Sequence, residues 1–355
     1  MKIEHIEIAR KNLKLARPYT IAFKEVTKVE NGIVTIFSDQ GNKGLGAFNP
    51  SHEVVGETLD DAFTVLTNER LGFLIGRDIR ELHQLCFEIQ TRFKESSSAR
   101  IGLEIALYDL FTQFLEVPLS FYLGQKIYSK PTSITIGIKN VEETIKEARE
   151  YLERKFKILK IKLGKDLEED IERLVKLREV FGYGMGIIID ANQGYTIADL
   201  LQFYDGIKSL DIPLIEQPLP SGKENEMVAL PKEILKKIAV DESLLSPGDA
   251  EMLVQSNIAC GFFNIKLMKC GGISEAIKIG DIACRNGVSL MWGCNDESII
   301  SITAALHVAF ACPHTKYIDL DGSLDLAEDV VQSGFVLKEG VMSLPDRYGL
   351  GLIRN

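Results

Sequence analysis

The 355-residue chain is short of positive charge, with 41 Lys and Arg against 51 Asp and Glu and a formal net charge of −10. A protein whose main partner is nucleic acid needs a basic face or stripe, so that class is excluded as the principal function. An acidic surface by itself signifies solubility. Long apolar runs are also missing, and none approaches the roughly 18 residues that a membrane-spanning helix requires. The opening MKIEHIEIARKNLKL alternates apolar and polar side chains instead of running basic and then apolar, which marks a strand and not a signal peptide. The cysteines are scattered: Cys86, Cys260, Cys270, Cys284, Cys294 and Cys312 include no CxxC pair and no zinc-like spacing with histidine. Reduced thiols in a cytoplasmic protein are the expectation.

The early residues run strands first and helices afterwards. Val26 to Ser38 and Lys43 to Phe48 have strand character, with ENG and DQGN as hairpin-type turns. From Glu53 the period changes. ETLDDAFTVLTNERLGFLIG and SSSARIGLEIALYDLFTQFLEV place apolar residues three and four apart, the mark of amphipathic helices. Ser97 or Ser98 is the expected cap of the second. This α+β block ends in the linker GQKIYSKP, up to Pro131.

After Pro131 one period governs the chain. Short apolar strands centre near Thr135, Ile161, Ile188, Ile215, Ala239, Ile265, Leu290 and Ile318, at steps of about 24 to 28 residues. That step fits a strand-loop-helix-loop unit, and eight such strands with right-handed crossovers close into a barrel. Beyond Asp321 the tail reads as loops and short strands, not as an eighth helix.

In such a barrel, chemistry sits on inward-pointing residues at the C-terminal strand ends. Alternation separates the two faces of each strand. In ILKIKLG, Leu159, Ile161 and Leu163 face the helices, and Lys160 and Lys162 face the axis. The next three strands end in Asp190, Glu216 and Asp241. In FFNIKLMKCGG, Asn264 and Lys266 point inward, and Lys269 reads as a surface or loop lysine. In YIDLDG, Asp319 and Asp321 share one face. A single acidic strand end usually caps a helix. Three on consecutive strands repel one another and call for a cation between them. Oxygen donors without His or Cys favour Mg²⁺, with Mn²⁺ next.

The ordered set KIK, DANQ, EQP, DES and NIKLMKCGG resembles the enolase superfamily in its muconate-lactonizing subgroup, along essentially the whole chain. DLDG near the barrel's end resembles the Asp-x-Asp of the dipeptide epimerases, of which L-Ala-D/L-Glu epimerase is the best known. The resemblance implies a (β/α)₇β modified TIM barrel with an α+β capping domain. The corresponding division is residues 1–128 for the capping domain, 129–322 for the barrel and 323–355 for a tail returning to the cap.

The resemblance also implies a reaction, removal of the proton α to a carboxylate. Mg²⁺ on Asp190, Glu216 and Asp241 would grip that carboxylate and stabilise the enediolate. Lys162 is the implied acid/base, Lys160 its electrostatic partner and a carboxylate contact, and Lys266 the base on the opposite face. A lysine base works with a pKa of roughly 7 to 8, so depression by neighbouring cations is expected. Two opposed bases mean epimerisation or racemisation. Asp319 and Asp321 would bind the N-terminal ammonium of a dipeptide, with Thr135 and Cys294 beside its backbone. Cys294 has no partner base that would make it a nucleophile. Lys24 stands where glutamate-specific relatives carry an arginine, and it lacks that residue's bidentate fork. GLGAFNPSHE departs from the relatives' pattern, so Ala47 and Phe48 should alter one wall of the site, while His52 has no role.

An N-acyl amino acid racemase, an o-succinylbenzoate synthase or a muconate-type cycloisomerase would share the lysines and carboxylates. Those substrates offer no free ammonium to Asp319 and Asp321, which separates them from a dipeptide. A histidine-based dehydratase is disfavoured because His307 and His314 lie off the strand ends, and a non-catalytic barrel binding protein would gain nothing from the lysine pair. The family habit suggests a homo-oligomer, a dimer or an octamer.

Overall fold

An antiparallel sheet comes first in the chain and a parallel one follows it. The computed structural model describes residues 1–21, 24–255 and 260–354, with the side chains of residues 17–26 excepted. Strands β1 (Ile3–Ile21), β2 (Lys24–Ser38) and β3 (Lys43–Phe48) form an antiparallel meander. DQGN makes the β2–β3 turn. ENG is not a turn: Glu30, Asn31 and Gly32 lie inside β2, opposite Asn12, Lys11 and Arg10 of β1. The glycine there serves a close approach, since a Cβ on Gly32 would stand 2.0 Å from Cζ of Phe48.

Two longer helices complete this layer, α1 (Leu82–Arg92) and α2 (Ser97–Phe114), whereas the helix expected over 57–76 is broken into short pieces at Leu59–Val65, Asn68–Leu71 and Gly72–Leu74. Helix α2 is apolar nearly all round, as a helix buried on both sides must be. It packs on β2 and β3 with one side and on the barrel with the other. Its cap is Ser96, whose hydroxyl accepts from Ala99 N at 3.1 Å. Ser97 and Ser98 are engaged elsewhere, both donating to the Glu57 carboxylate.

After β4 (Ser129–Pro131) come eight parallel strands in sequential order. They are β5 (Ser133–Ile136), β6 (Ile158–Lys162), β7 (Gly186–Asp190), β8 (Ile215–Glu216), β9 (Ile238–Val240), β10 (Phe262–Ile265), β11 (Ser289–Trp292) and β12 (Thr315–Ile318). Every expected strand centre falls within its strand. A parallel bridge from Thr132 to Ile318 brings the first and last together and rounds the sheet into a barrel. The crossover helices are α3 (Val141–Glu153), α4 (Leu167–Phe181), α5 (Ile197–Ile207), α6 (Pro247–Gln255), α7 (Ile273–Arg285) and α8 (Ile299–Ala311). The β8–β9 crossover is an exception, with a 3₁₀ helix at Glu224–Ala229 and a one-turn α-helix at Lys232–Leu235. Pro218, Pro220, Gly222 and Pro231 interrupt any longer helix there.

Among the described residues no barrel helix follows β12. The tail instead forms β13 (Val331–Ser333), β14 (Val336–Lys338), β15 (Val341–Ser343) and β16 (Ile353–Arg354). β14 and β15 extend β4 into a small sheet. Elsewhere the tail binds the N-terminal layer, Ala16 N to Asp325 O and Ala327 N to Lys14 O at 2.7 Å each. Leu350 N adds a bond to Asp109 Oδ1 at 2.8 Å. Among the described residues no helix is long and apolar enough to cross a membrane.

Inside the barrel a separate apolar cluster forms a floor from Ile188, Leu214, Ala239, Phe262 and Met291, flanked by Ile158 and Tyr317. Several of these stand an even number of residues before a polar residue near the barrel's mouth, on the same inward face.

Candidate active site

Directly above that floor the inward positions carry charge. Ile158 is followed by Lys160 and Lys162, Ile188 by Asp190, Leu214 by Glu216, Ala239 by Asp241, Phe262 by Asn264 and Lys266, and Tyr317 by Asp319. Around the closed sheet, β6 and β10 have β7, β8 and β9 between them on one side and β11, β12 and β5 on the other. Lys162 and Lys266 therefore stand across the axis from each other. One arc between them carries Asp190, Glu216 and Asp241. The other carries Cys294, Asp319, Asp321 and Thr135.

Lys160 is buried between the arcs. Its Nζ lies 2.8 Å from Glu216 Oε2, 2.8 Å from Asp319 Oδ2 and 3.3 Å from Asp190 Oδ2. Burial opposes its charge, but Asp319, Glu216 and Asp190 outweigh burial and hold the ammonium well above the ordinary lysine range. Lys162 is the accessible one, its side chain 39% exposed and its Nζ 3.8 Å from Asp190 Oδ2. Lys266 donates to Asp241 Oδ2 at 2.7 Å. Burial opposes this charge as well, and Asp241 with Glu216 prevails and raises the pKa. At Lys266 these carboxylates outweigh the neighbouring ammonium of Lys160.

On the acidic arc, burial alone would raise all three carboxyl pKa values. Lys160 and Lys162 bring Asp190 below the usual range, and Lys266 and Lys269 bring Asp241 below it. For Glu216 burial wins, helped by Asp190, and the pKa rises to about 8. Its Oε1 accepts from Asn264 Nδ2 at 2.8 Å, while the buried Oε2 receives no hydrogen bond and has only the ion pair with Lys160. Among the described residues no three His, Cys, Asp or Glu side chains converge as a closed ligand cage. The ammonium groups of Lys160, Lys266 and Lys269 meet these carboxylates instead. An oxygen-only set with one Glu216 oxygen lacking a donor still suits a hard dication that displaces those contacts.

Lys269 is not a surface residue. It is buried, its ammonium contacts the Asp241 carboxylate, and it donates to Asn264 O at 3.2 Å. Strand alternation misplaces it because β10 ends at Ile265 and a helical turn, Leu267–Cys270, follows. In a helix, residues three apart share a face. That change of period was the available signal.

On the other arc, Asp319 accepts from the Ser133 hydroxyl and from Lys160. Asp321 Oδ2 accepts Thr135 N–H at 2.8 Å, and its Oδ1 lies 3.8 Å from Cys294 Sγ. Burial, then the charge of Asp319, lifts Asp321 to about 7. Burial, then Asp321, also raises the Cys294 thiol far above its usual range, so it stays protonated and donates to Asp319 O at 3.2 Å. Ser133 was not anticipated; it stands two residues before Thr135 on the same face.

Above the mouth, the end of β3 meets the loop after β11. Asn49 Nδ2 donates to Asp296 O at 2.6 Å, and Asn295 Nδ2 donates to Asn49 O at 3.1 Å. Ala47 and Phe48, expected in the site wall, are fully buried in the capping core, and His52 is exposed. The Lys24 side chain lies outside the described residues. His307 is buried in α8 and accepts from Ser120 N at 2.9 Å, away from the strand ends.

Residues 3–124 match the N-terminal domain of mandelate racemase / muconate lactonizing enzyme, and residues 143–353 match the enolase C-terminal domain-like family. The chain is 49% identical to the L-Lys-D/L-Arg epimerase of Methylococcus capsulatus, covering 99% of each chain. It is 32% identical to the L-Ala-D/L-Glu epimerase of Clostridium acetobutylicum, again over 99% of each. The crystal structure of the Methylococcus capsulatus dipeptide epimerase complexed with Mg and L-Arg-D-Lys superposes with a TM-score of 0.96, covering 99% of this chain and 100% of that one. Sequence, barrel and capping layer agree, and the chain belongs to the mandelate racemase / muconate lactonizing enzyme family of the enolase superfamily.

Proposed function

We propose that this protein is an isomerase that epimerises the α-carbon of the C-terminal residue of a dipeptide. The observation that carries the reading is the placement of Lys162 and Lys266 across the barrel, with carboxylates on the arc between them. Asp190, Glu216 and Asp241 are the residues proposed to hold Mg²⁺, which when bound grips the substrate carboxylate and stabilises the charge left by the departing α-proton. Lys162 takes the proton from one face and Lys266 supplies one to the other. Lys160 remains protonated and assists in binding the carboxylate. The apolar floor lowers the polarity beneath the buried charges, which strengthens their interactions.

Charge balance supports the assignment. Once a dication displaces the proton that Glu216 holds, Lys160, Lys162, Lys266 and Lys269 offset Asp190, Glu216, Asp241 and Asp319. A dication is then balanced by the substrate carboxylate and by loss of one proton from a lysine base. Asp321 is left to meet the substrate's N-terminal ammonium, with Thr135 and Cys294 fixing its orientation.

For the substrate we favour dipeptides with basic side chains. The 49% likeness to an L-Lys-D/L-Arg epimerase outweighs the 32% likeness to an L-Ala-D/L-Glu epimerase. The glutamate preference suggested by Lys24 is therefore set second. Six unpaired cysteines support a cytoplasmic setting, and exposed Phe87 and Phe121 support a homo-oligomer, which light scattering checks.

The test follows the α-proton by NMR in D₂O with Mg²⁺, using L-Lys-L-Arg, L-Ala-L-Glu and N-succinyl-L-arginine. Exchange with inversion should occur on the dipeptides, fastest on the basic one, and should stop with EDTA. Turnover of the N-succinyl compound without any dipeptide turnover would sink the reading.

A further inference from the structure

The double glycine of NIKLMKCGG has no part in the chemistry above, yet its surroundings are unusual. Gly271 and Gly272 join the turn Leu267–Cys270, which begins just after Lys266, to helix α7. Both have left-handed backbones, φ 88° and 127°. A Cβ on Gly271 would lie 2.8 Å from Cζ of Arg100, and one on Gly272 would lie 2.5 Å from Oε2 of Glu104. Both contacts come from helix α2 of the capping layer. Glycine is required so that these side chains can reach the barrel's backbone.

Glu104 is fully buried. Its Oε2 accepts Ser274 N–H at 3.0 Å, in the first turn of α7, and its Oε1 accepts Gln90 Nε2 at 2.7 Å. The same Gln90 nitrogen donates to Gly271 O at 2.8 Å, and Gln90 Oε1 accepts Arg100 Nη1 at 3.0 Å. The main chain continues this link to the site: the carbonyl of Lys266 accepts from Lys269 N at 3.0 Å and Cys270 N at 3.2 Å. A buried carboxylate is expensive, and apolar packing would join two layers at less cost. A carboxylate adds direction, because its bonds fix where the turn lies.

We propose that Glu104, oriented by Gln90, is a positioning residue for Lys266. The capping helix thereby sets the placement of one of the two bases, while Lys162, rooted within β6, is independent of it. The proposal rests on the epimerase reading, and a misplacement of about 1 Å at a reacting group can cost ~100-fold in rate.

The test uses E104Q, whose amide can accept from only one of its two donors, and Q90M, which keeps the volume and removes both Gln90 donations. K266A identifies which epimer depends on Lys266. For that epimer, α-proton exchange in D₂O should fall ~30-fold in E104Q and less in Q90M, with exchange from the other epimer within ~3-fold of the parent. Hydrogen exchange at the Ser274 amide should accelerate at least ~10-fold. Equal losses from both epimers, or unchanged Ser274 protection, would overturn the proposal. If E104Q does not fold, Q90M decides by the same two readouts. If the parent protein exchanges neither epimer, the epimerase reading fails, and Ser274 protection alone judges the clamp.

Discussion

Lys160 and Lys162 sit two residues apart on one strand and face opposite fates. Lys160 is enclosed by three carboxyl groups, whereas Lys162 keeps 39% of its side chain exposed and, among the described residues, is paired with Asp190 at 3.8 Å. That difference supports the proposed roles, electrostatics for the first and proton transfer for the second. Replacing Lys162 with Ala should abolish α-proton exchange from one epimer by at least ~1,000-fold while leaving part of the exchange from the other; Lys266→Ala should do the reverse. NMR in D₂O on each pure epimer reads both. Identical losses from both epimers in each variant would mean that the two lysines do not act on opposite faces.

At the level of elements, two periods compete. Strand alternation orders the inward charges from β6 to Lys266 correctly, then fails two residues past β10, where a helical turn beginning at Leu267 brings Lys269 back beside Asp241. The ENG segment is a similar case, since Gly32 continues β2 because Phe48 lies over it. Gly32→Ala should therefore destabilise the protein by about 1–3 kcal/mol through overpacking. Urea unfolding measures this, and the folded variant should keep its kcat, as Gly32 lies in the antiparallel sheet of the cap and not on a barrel strand. A variant as stable as the parent would show that the ring has room to move.

On the scale of the whole molecule, His307 joins three regions. Its Nδ1 accepts Ser120 N–H at 2.9 Å, and its Nε2 lies 3.3 Å from Leu350 O in the tail. This arrangement needs a neutral ring protonated on Nε2, and burial depresses the pKa to about 4. An unfolded histidine titrates near 6.5, so between these values the unfolded chain binds the extra proton. The stabilisation is complete above pH ~6.5 and drains away as pH falls to about 4, a loss of roughly 3 kcal/mol. Unfolding midpoints of parent and His307→Gln between pH 4 and 7 should converge toward low pH. Parallel curves would remove this role.

Much of the protein is written in local pattern. The strand spacing sets the number of barrel strands, and alternation puts Lys160, Lys162, Asp190, Glu216, Asp241, Lys266 and Asp319 on one inward face, since a side chain's face on a strand depends only on its position along it. What depends on partners distant in sequence was decided by the tertiary structure. Lys160 meeting Asp319 across 159 positions, Thr135 meeting Asp321, Asn49 reaching the β11 loop and Glu104 seated on Gly272 all require the barrel to close and the cap to dock. The charge states follow the same division. A lysine's presence is local, but its pKa is set by how many carboxylates the fold gathers round it and how much water it removes.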